Sequence, residues 1–202
     1  GGHKAGGYAS SCAGETILME VEICPDKAAR EILTRAFRRA NEVIAHRAGE
    51  DERFSGMGTT VVAACLEKGE LIAANVGDSR LYVIHEDSIE QVTEDHSLVQ
   101  EMVKYGGINK EEARVHPNKN IITRAVGLEQ ELQVDCFRKM LHPGDRVLLC
   151  SDGLTDMLED EQIRRIIDKK KDVRSAAEKL VKAANDNGGR DNIAVIVIDP
   201  FT

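Results

Sequence analysis

Leu71-Ile72-Ala73-Ala74-Asn75-Val76-Gly77-Asp78 is a short apolar run that ends on a glycine and an acid, and its surroundings decide the fold. Before it stands a second run, Thr59–Leu66, joined to it by Glu67-Lys68-Gly69-Glu70. After it come Leu81–Ile84 and Ile89–Val92, joined by His85-Glu86-Asp87-Ser88. Short apolar runs separated by four polar or turn-forming residues predict β-hairpins, and therefore antiparallel pairing. Further strands are predicted at Leu132–Phe137, Arg146–Cys150 and Ile193–Ile198. Helical periodicity dominates on either side of this group. Ala29, Ile32, Leu33, Ala36, Phe37, Ala40, Val43 and Ile44 recur at the helical period, opened by Cys24-Pro25-Asp26 and closed by Gly49. Ala5–Met19 predicts a helix rich in small residues, and Ser97–Tyr105 another that Gly106-Gly107 breaks. Asn109 followed by Glu112 has the spacing of a capping box, and two late helices are predicted at Glu161–Asp168 and Val173–Ala184. Strands in hairpins with helices before and after them predict an α+β class, antiparallel sheets with helices on their outer faces.

Composition narrows the function. The chain has 202 residues, which predicts a single domain over 1–202, and a formal charge of −8. An acidic balance argues against nucleic acid as a partner, because phosphate backbones are held by clustered Lys and Arg. With 42% hydrophobic and only 3% aromatic residues, the core must be aliphatic. No apolar run approaches the ~18 residues of a membrane span, and no signal peptide is visible. Cys12, Cys24, Cys65, Cys136 and Cys150 are odd in number and never closely paired, which predicts reduced thiols and a cytoplasmic protein. Lys169-Lys170-Lys171, between two acids, predicts a solvated turn.

Three acids stand where a carboxylate is costly. Asp78 ends one apolar run, Asp152 follows Val147-Leu148-Leu149-Cys150-Ser151, and Asp191 precedes Asn192 and the last strand. An ionised carboxylate at a buried strand end costs several kcal/mol unless a cation, a basic partner or a helix N-terminus compensates it. Singly, each reads equally well as a turn aspartate bonding its own backbone. Together, with glycines beside or near them, they are better explained by convergence on hard divalent cations, which prefer oxygen ligands. Competing motifs fail on chemical grounds. Gly56-Met57-Gly58-Thr59-Thr60 lacks the lysine of a phosphate loop, and a strand follows it. Cys24 and Arg30 have the spacing of cysteine phosphatases, but Pro25 removes a phosphate-binding N–H and Asp26 repels the anion. There is no G-x-S-x-G elbow, and no histidine pair has helical zinc spacing.

The order and spacing of six motifs is specific. Gly1-Gly2-His3-Lys4-Ala5-Gly6, Ser55-Gly56-Met57-Gly58-Thr59-Thr60, Asn75-Val76-Gly77-Asp78-Ser79-Arg80, Thr93-Glu94-Asp95-His96-Ser97, Cys150-Ser151-Asp152-Gly153-Leu154-Thr155-Asp156 and Gly189-Arg190-Asp191-Asn192 follow one another along essentially the whole chain. This pattern resembles the bacterial metal-dependent protein serine/threonine phosphatases, the type 2C or PPM family. The resemblance implies a sandwich of two antiparallel sheets flanked by helices, with a Mn²⁺ or Mg²⁺ cluster. It implies that Asp152 and Asp191 are ligands of two core ions, and that Asp78 joins Asp152 on a third, weaker one. It implies hydrolysis of phosphoserine and phosphothreonine on proteins by direct in-line attack of a water bridging two metals, without a covalent phosphoenzyme. Residues 97–127 match the family's flap, in which His116-Pro117 either touches substrate or forms a structural turn, the second reading being favoured. A cognate Ser/Thr protein kinase and a monomeric state are further expectations.

The resemblance also implies residues before Gly1. In complete members an Asp-Gly-Met segment there supplies the acid that bridges the core metals, and the first strands lie further upstream. The 202 residues are therefore expected to be an N-terminally truncated domain with weak or no turnover of its own. His3 reads as a general acid for the leaving oxygen or as a histidine that only supports the site, the latter favoured. Two other functions compete with phosphoprotein hydrolysis: a catalytically impaired, partner-binding module, and a metal phosphohydrolase acting on small phosphates.

Overall fold

The hairpins form as their spacing predicts, within a mixed α and β architecture. The computed structural model describes residues 5–23, 27–169 and 172–201. The chain opens with α1 (Gly6–Ile23) and α2 (Ala29–Glu50), then runs through β1 (Val61–Glu67), β2 (Glu70–Val76), β3 (Arg80–His85) and β4 (Ser88–Gln91). Two short helices follow, α3 (Leu98–Lys104) and α4 (Lys110–Val115), before β5 (Asp135–Met140) and β6 (Arg146–Cys150). The chain finishes with α5 (Asp152–Thr155), α6 (Asp160–Asp168), α7 (Val173–Asp186) and β7 (Val195–Ile198). One sheet has the order β1-β2-β5 and the other the order β4-β3-β6-β7. In the larger sheet all three pairings are antiparallel, with Tyr82 opposite Gln91, Leu81 opposite Leu149, and Leu149 opposite Ile196.

The described residues divide into two units, each with its own core. The first comprises those up to Cys65 together with Ile72–Asp78 and Asp95–Phe137. Here Leu33, Ala36, Phe37, Ala40 and Ile44 of α2 meet Ala9, Cys12, Ala13 and Ile17 of α1, with Ala74 and Val76 of β2 and Val126. Of the small residues of the first helix, Ala9, Cys12 and Ala13 are buried, which lets it lie close to α2, while Gly7, Ser10, Ser11 and Gly14 are exposed. Asn41, 5% exposed, fixes a loop onto α2: its Nδ2 donates to the Glu129 carbonyl at 2.8 Å, and its Oδ1 accepts from the Gly127 N–H at 2.7 Å. The segment between β4 and β5 closes on itself in this unit. Leu98 N–H bonds the Ile121 carbonyl, Thr123 N–H bonds the His96 carbonyl, and Ser97 pairs with Ile122. Within it Ser97 caps α3, and Asn109 with Glu112 forms the predicted capping box of α4.

The second unit comprises Leu66–Leu71, Ser79–Glu94 and the described residues from Arg138 onward. Tyr82 and Ile84 of β3 and Leu148 and Cys150 of β6 are buried with Leu154, Leu158, Ile163, Ile167, Leu180 and Ala184 of the helices. The Tyr82 hydroxyl donates to Asp160 at 3.1 Å and accepts from Arg80 at 3.0 Å, so its burial leaves no orphan polar atom. Burial pushes that phenol far above its ordinary pKa. The core is aliphatic as the composition requires, Phe37 and Tyr82 being its fully buried aromatic side chains.

Several strand boundaries shift by one to three residues from the periodicity; β1 begins at Val61 rather than Thr59, and two other starts have a visible cause. β5 begins at Asp135 rather than Leu132, because Leu132 is buried in the first core without joining the ladder, while pairing continues through Arg138-Lys139-Met140. β7 begins at Val195 rather than Ile193, the backbone before it being bonded to Ser151 instead. The predicted helix start at Cys24-Pro25-Asp26 lies outside the described residues, as do Lys170 and Lys171. No helix among the described residues is long and apolar enough to cross a membrane.

Because Asn41 satisfies a buried N–H on another segment, Asn41→Ala is expected to destabilise the fold by about 1–3 kcal/mol, the usual cost of an orphaned buried donor. Urea unfolding should show the shift. A change below about 0.5 kcal/mol, the range of an ordinary surface substitution, would show that water replaces the lost bond.

Candidate metal centre

In the second unit, one close backbone approach brings two acids together. Ser151 follows β6, and its Oγ donates to the Asn192 carbonyl at 3.2 Å while accepting from the Ala194 N–H at 3.0 Å. Its own N–H donates to the Ala194 carbonyl at 3.1 Å. Gly153 completes the approach: a Cβ there would stand 2.2 Å from the Asn192 carbonyl oxygen, which only glycine tolerates. Asp152 and Asp191, one residue away on each segment, are thereby held near each other. Asp152 Oδ1 accepts from the Gly153 N–H at 2.8 Å, and Asp191 Oδ1 from the Asn192 N–H at 2.7 Å.

The electrostatics of this corner are unfavourable as it stands. Asp152 is half-buried, and burial pushes its carboxyl above the ordinary range. The negative charges of Asp191 and Asp156 push the same way, against the single bond from Gly153. Asp156 is a residue to which the sequence reading gave no role, although it stood in the quoted motif. Its only sequence signal is the four-residue spacing from Asp152, which becomes one face of a helical turn only because α5 forms.

The remaining sequence candidates stand elsewhere. Asp78 closes the Ile72–Asp78 segment of the first unit, partly buried, directly after Gly77. Gly77 has φ +109, and a Cβ there would stand 2.3 Å from Thr60 Cγ2. His116 ends α4, where its Nδ1 accepts from the Asn118 N–H at 3.1 Å and its carbonyl from Lys119. His3 lies outside the described residues.

The donor chemistry fits a hard divalent cation. Asp152, Asp191 and Asp156 offer only oxygen, and a cation would offset the repulsion that lifts the Asp152 carboxyl. Among the described residues, no three acid, histidine or cysteine side chains are close enough to enclose an ion by themselves. A cation at this corner would need ligands beyond these carboxylates, such as the waters that Mg²⁺-like ions keep.

Known proteins resemble this chain along nearly its whole length. Residues 1–196 match the family model described as Protein phosphatase 2C. The serine/threonine phosphatase stp of Listeria innocua is 40% identical over 204 residues, covering 98% of this chain and 81% of that protein. The crystal structure of the serine/threonine phosphatase Stp1 from Staphylococcus aureus matches with a TM-score of 0.91 and 38% identity, over 98% of this chain and 79% of that one. The catalytic domain of the serine/threonine protein phosphatase PstP, solved in complex with 2 manganese ions, matches with a TM-score of 0.87 and 33% identity, over 98% of this chain and 82% of that one.

The raised carboxyl of Asp152 sets a sign for stability against pH. Its folded pKa exceeds the unfolded value, so the ionised form opposes folding above that pKa, and the opposition fades as pH falls through it. With EDTA present, Asp152→Asn is expected to be more stable than the parent at pH 7, the gap closing toward about pH 4 where the free carboxyl titrates. Saturating Mn²⁺ should reverse the order. Thermal unfolding at several pH values checks this, and a parent that is the more stable in EDTA at pH 7 would contradict it.

Proposed function

The chain belongs to the protein phosphatase 2C family and is a Mn²⁺- or Mg²⁺-dependent serine/threonine protein phosphatase, and we infer that Asp152 and Asp191 hold its catalytic cations. The observation that carries this reading is the pairing of a half-buried Asp152 with Asp191 and Asp156, an arrangement that is repulsive without a cation. When bound, the cations supply a water of lowered pKa and positive charge opposite the transferred phosphoryl group.

The protein's own residues supply position. The Gly153–Asn192 approach and the Ser151 bonds fix the two carboxylates on rigid backbone, so that they need not reorganise as charge develops. The partial burial of Asp152 lowers the local dielectric and so strengthens its attraction for a cation over that of an exposed acid. Asp156 adds a third carboxylate, suited to orienting coordinated water. Asp78 is assigned to a third cation, and residues 97–127 to the contact surface for phosphoprotein substrates, with His116 serving the turn that ends α4. His3 is read as supporting the site.

The family model runs across both units, which supports reading 1–202 as one catalytic domain. Phosphorylated Ser and Thr proteins are the substrates, and a Ser/Thr kinase that makes them is the expected counterpart of this activity. Cys12, Cys65, Cys136 and Cys150 are free thiols, which supports a cytoplasmic setting.

Asp152→Asn and Asp191→Asn are each expected to lower Mn²⁺-dependent hydrolysis of a phosphothreonine peptide by about a hundredfold or more, since metal stabilisation of the transition state is worth several kcal/mol. The same loss should appear with p-nitrophenyl phosphate, which tests the site rather than peptide recognition. Full activity in either variant would overturn the ligand assignment.

A further inference from the structure

One buried histidine in the first unit has no part in the function described so far. His96 is 5% exposed and has both ring nitrogens engaged. Its Nδ1 lies 3.0 Å from the Gly77 nitrogen, whose N–H donates to it. A nitrogen that accepts from a peptide N–H carries no proton, so the ring proton must sit on Nε2. Nε2 stands 3.0 Å from Asp135 Oδ2 and donates to it. Arg124 donates to the other oxygen of Asp135 at 3.1 Å. Burial would raise the Asp135 carboxyl, but His96 and Arg124 together hold it below its ordinary range, so it remains a charged acceptor.

The backbone of His96 repeats the link. Its N–H donates to the Gly77 carbonyl at 2.9 Å, and its own carbonyl accepts from the Thr123 N–H at 2.8 Å. Gly77 is therefore gripped at both its N–H and its C=O by one residue. The carbonyl so gripped belongs to the peptide that joins Gly77 to Asp78. The same histidine immediately precedes the 97–127 segment and is bonded to its far end at Thr123.

We propose that His96 is a positioning residue for the metal site: its neutral Nε2–H imidazole fixes the Val76–Gly77 peptide through the Gly77 N–H, while its backbone N–H fixes the Gly77–Asp78 peptide and its carbonyl ties both to the base of the 97–127 segment, so that the Asp78 carboxylate is presented in one place. The proposal rests on the reading of Asp78 as a cation ligand. Its physical logic is that of other residues that orient metal ligands from behind. A carboxylate on a backbone free to shift loses affinity, because the ordering must then come out of the binding free energy. Asp135 holds the imidazole in the required tautomer, and Arg124, whose guanidinium also lies 3.3 Å from Nε2, keeps Asp135 charged.

Two variants separate the two ring bonds. Gln places an amide near the position of Nε2, keeps the bond to Asp135 and removes the acceptor for Gly77. Asn places an amide oxygen near the position of Nδ1, keeps the Gly77 bond and removes the one to Asp135. His96→Gln is expected to weaken Mn²⁺ binding by about tenfold in isothermal titration calorimetry, and His96→Asn by no more than about twofold. A purely structural role would move both variants alike, since each loses one buried bond. Asp78→Asn is the reference measurement. If it leaves Mn²⁺ affinity unchanged, the reading of Asp78 fails and the proposal falls with it. If it weakens binding while His96→Gln does not, or while Gln and Asn behave alike, the positioning role alone is overturned. Imidazole ¹⁵N chemical shifts of the unmutated protein give a test independent of any variant's folding. An unprotonated Nδ1 with a protonated Nε2 is expected, and the opposite tautomer or an imidazolium would refute the proposal.

Discussion

The contact between Gly153 and the Asn192 carbonyl is the constraint on which the candidate site depends. Two segments distant in sequence can each place an acid near the other only if their backbones meet, and a single methyl group at residue 153 would hold them apart. The Ser151 hydroxyl adds directionality by donating to one backbone group of the opposite segment and accepting from another. These are short-range, neutral interactions. They create a longer-range unfavourable one, the crowding of Asp152, Asp191 and Asp156, which reverses in sign when a divalent cation enters.

The same device recurs in the first unit with different partners. Gly77 lies against Thr60 as closely as Gly153 lies against Asn192, and in both places an acid is the glycine's neighbour in sequence. Glycine is ordinarily a source of looseness, because it has the most conformational freedom to lose on folding. Here it does the opposite. Tight approach to a neighbouring segment, with His96 bonding both polar groups of Gly77, leaves little freedom to the acid beside it. The net charge of −8 thus includes acids held in set positions by glycine contacts as well as acids on solvated faces.

How much of this was legible depended on the range of the forces involved. The hairpins, the long amphipathic helix α2 and the capping box of Asn109 and Glu112 are local, set by residues within a few positions of one another. They followed from spacing alone. The start of β5 did not, because Leu132 is apolar enough for a strand but is claimed by the core of the first unit. α5 spans four residues, too few for periodicity to register, yet it is the turn that carries Asp152 and Asp156. Asp78, Asp152 and Asp191 were visible as charges set against apolar runs. The bonds of His96 to Gly77 and Asp135 cross 19 and 39 positions, and no local pattern announces them.

A site assembled this way links folding to metal binding. The first step is that the acids are placed by backbone contacts that form whether or not an ion is present, so the metal-free fold contains their repulsion. The second is that an ion binding the folded state and not the unfolded one adds stability in proportion to the logarithm of its concentration over its dissociation constant. The ion therefore offsets a destabilisation that the fold itself built, and part of its affinity comes from relief of that repulsion. On the proposed assignment, substituting an acid at this corner removes the affinity and the repulsion together. On that assignment, loss of function at Asp152 need not mean loss of fold, in contrast to a residue such as Asn41, whose bonds tie another segment to α2.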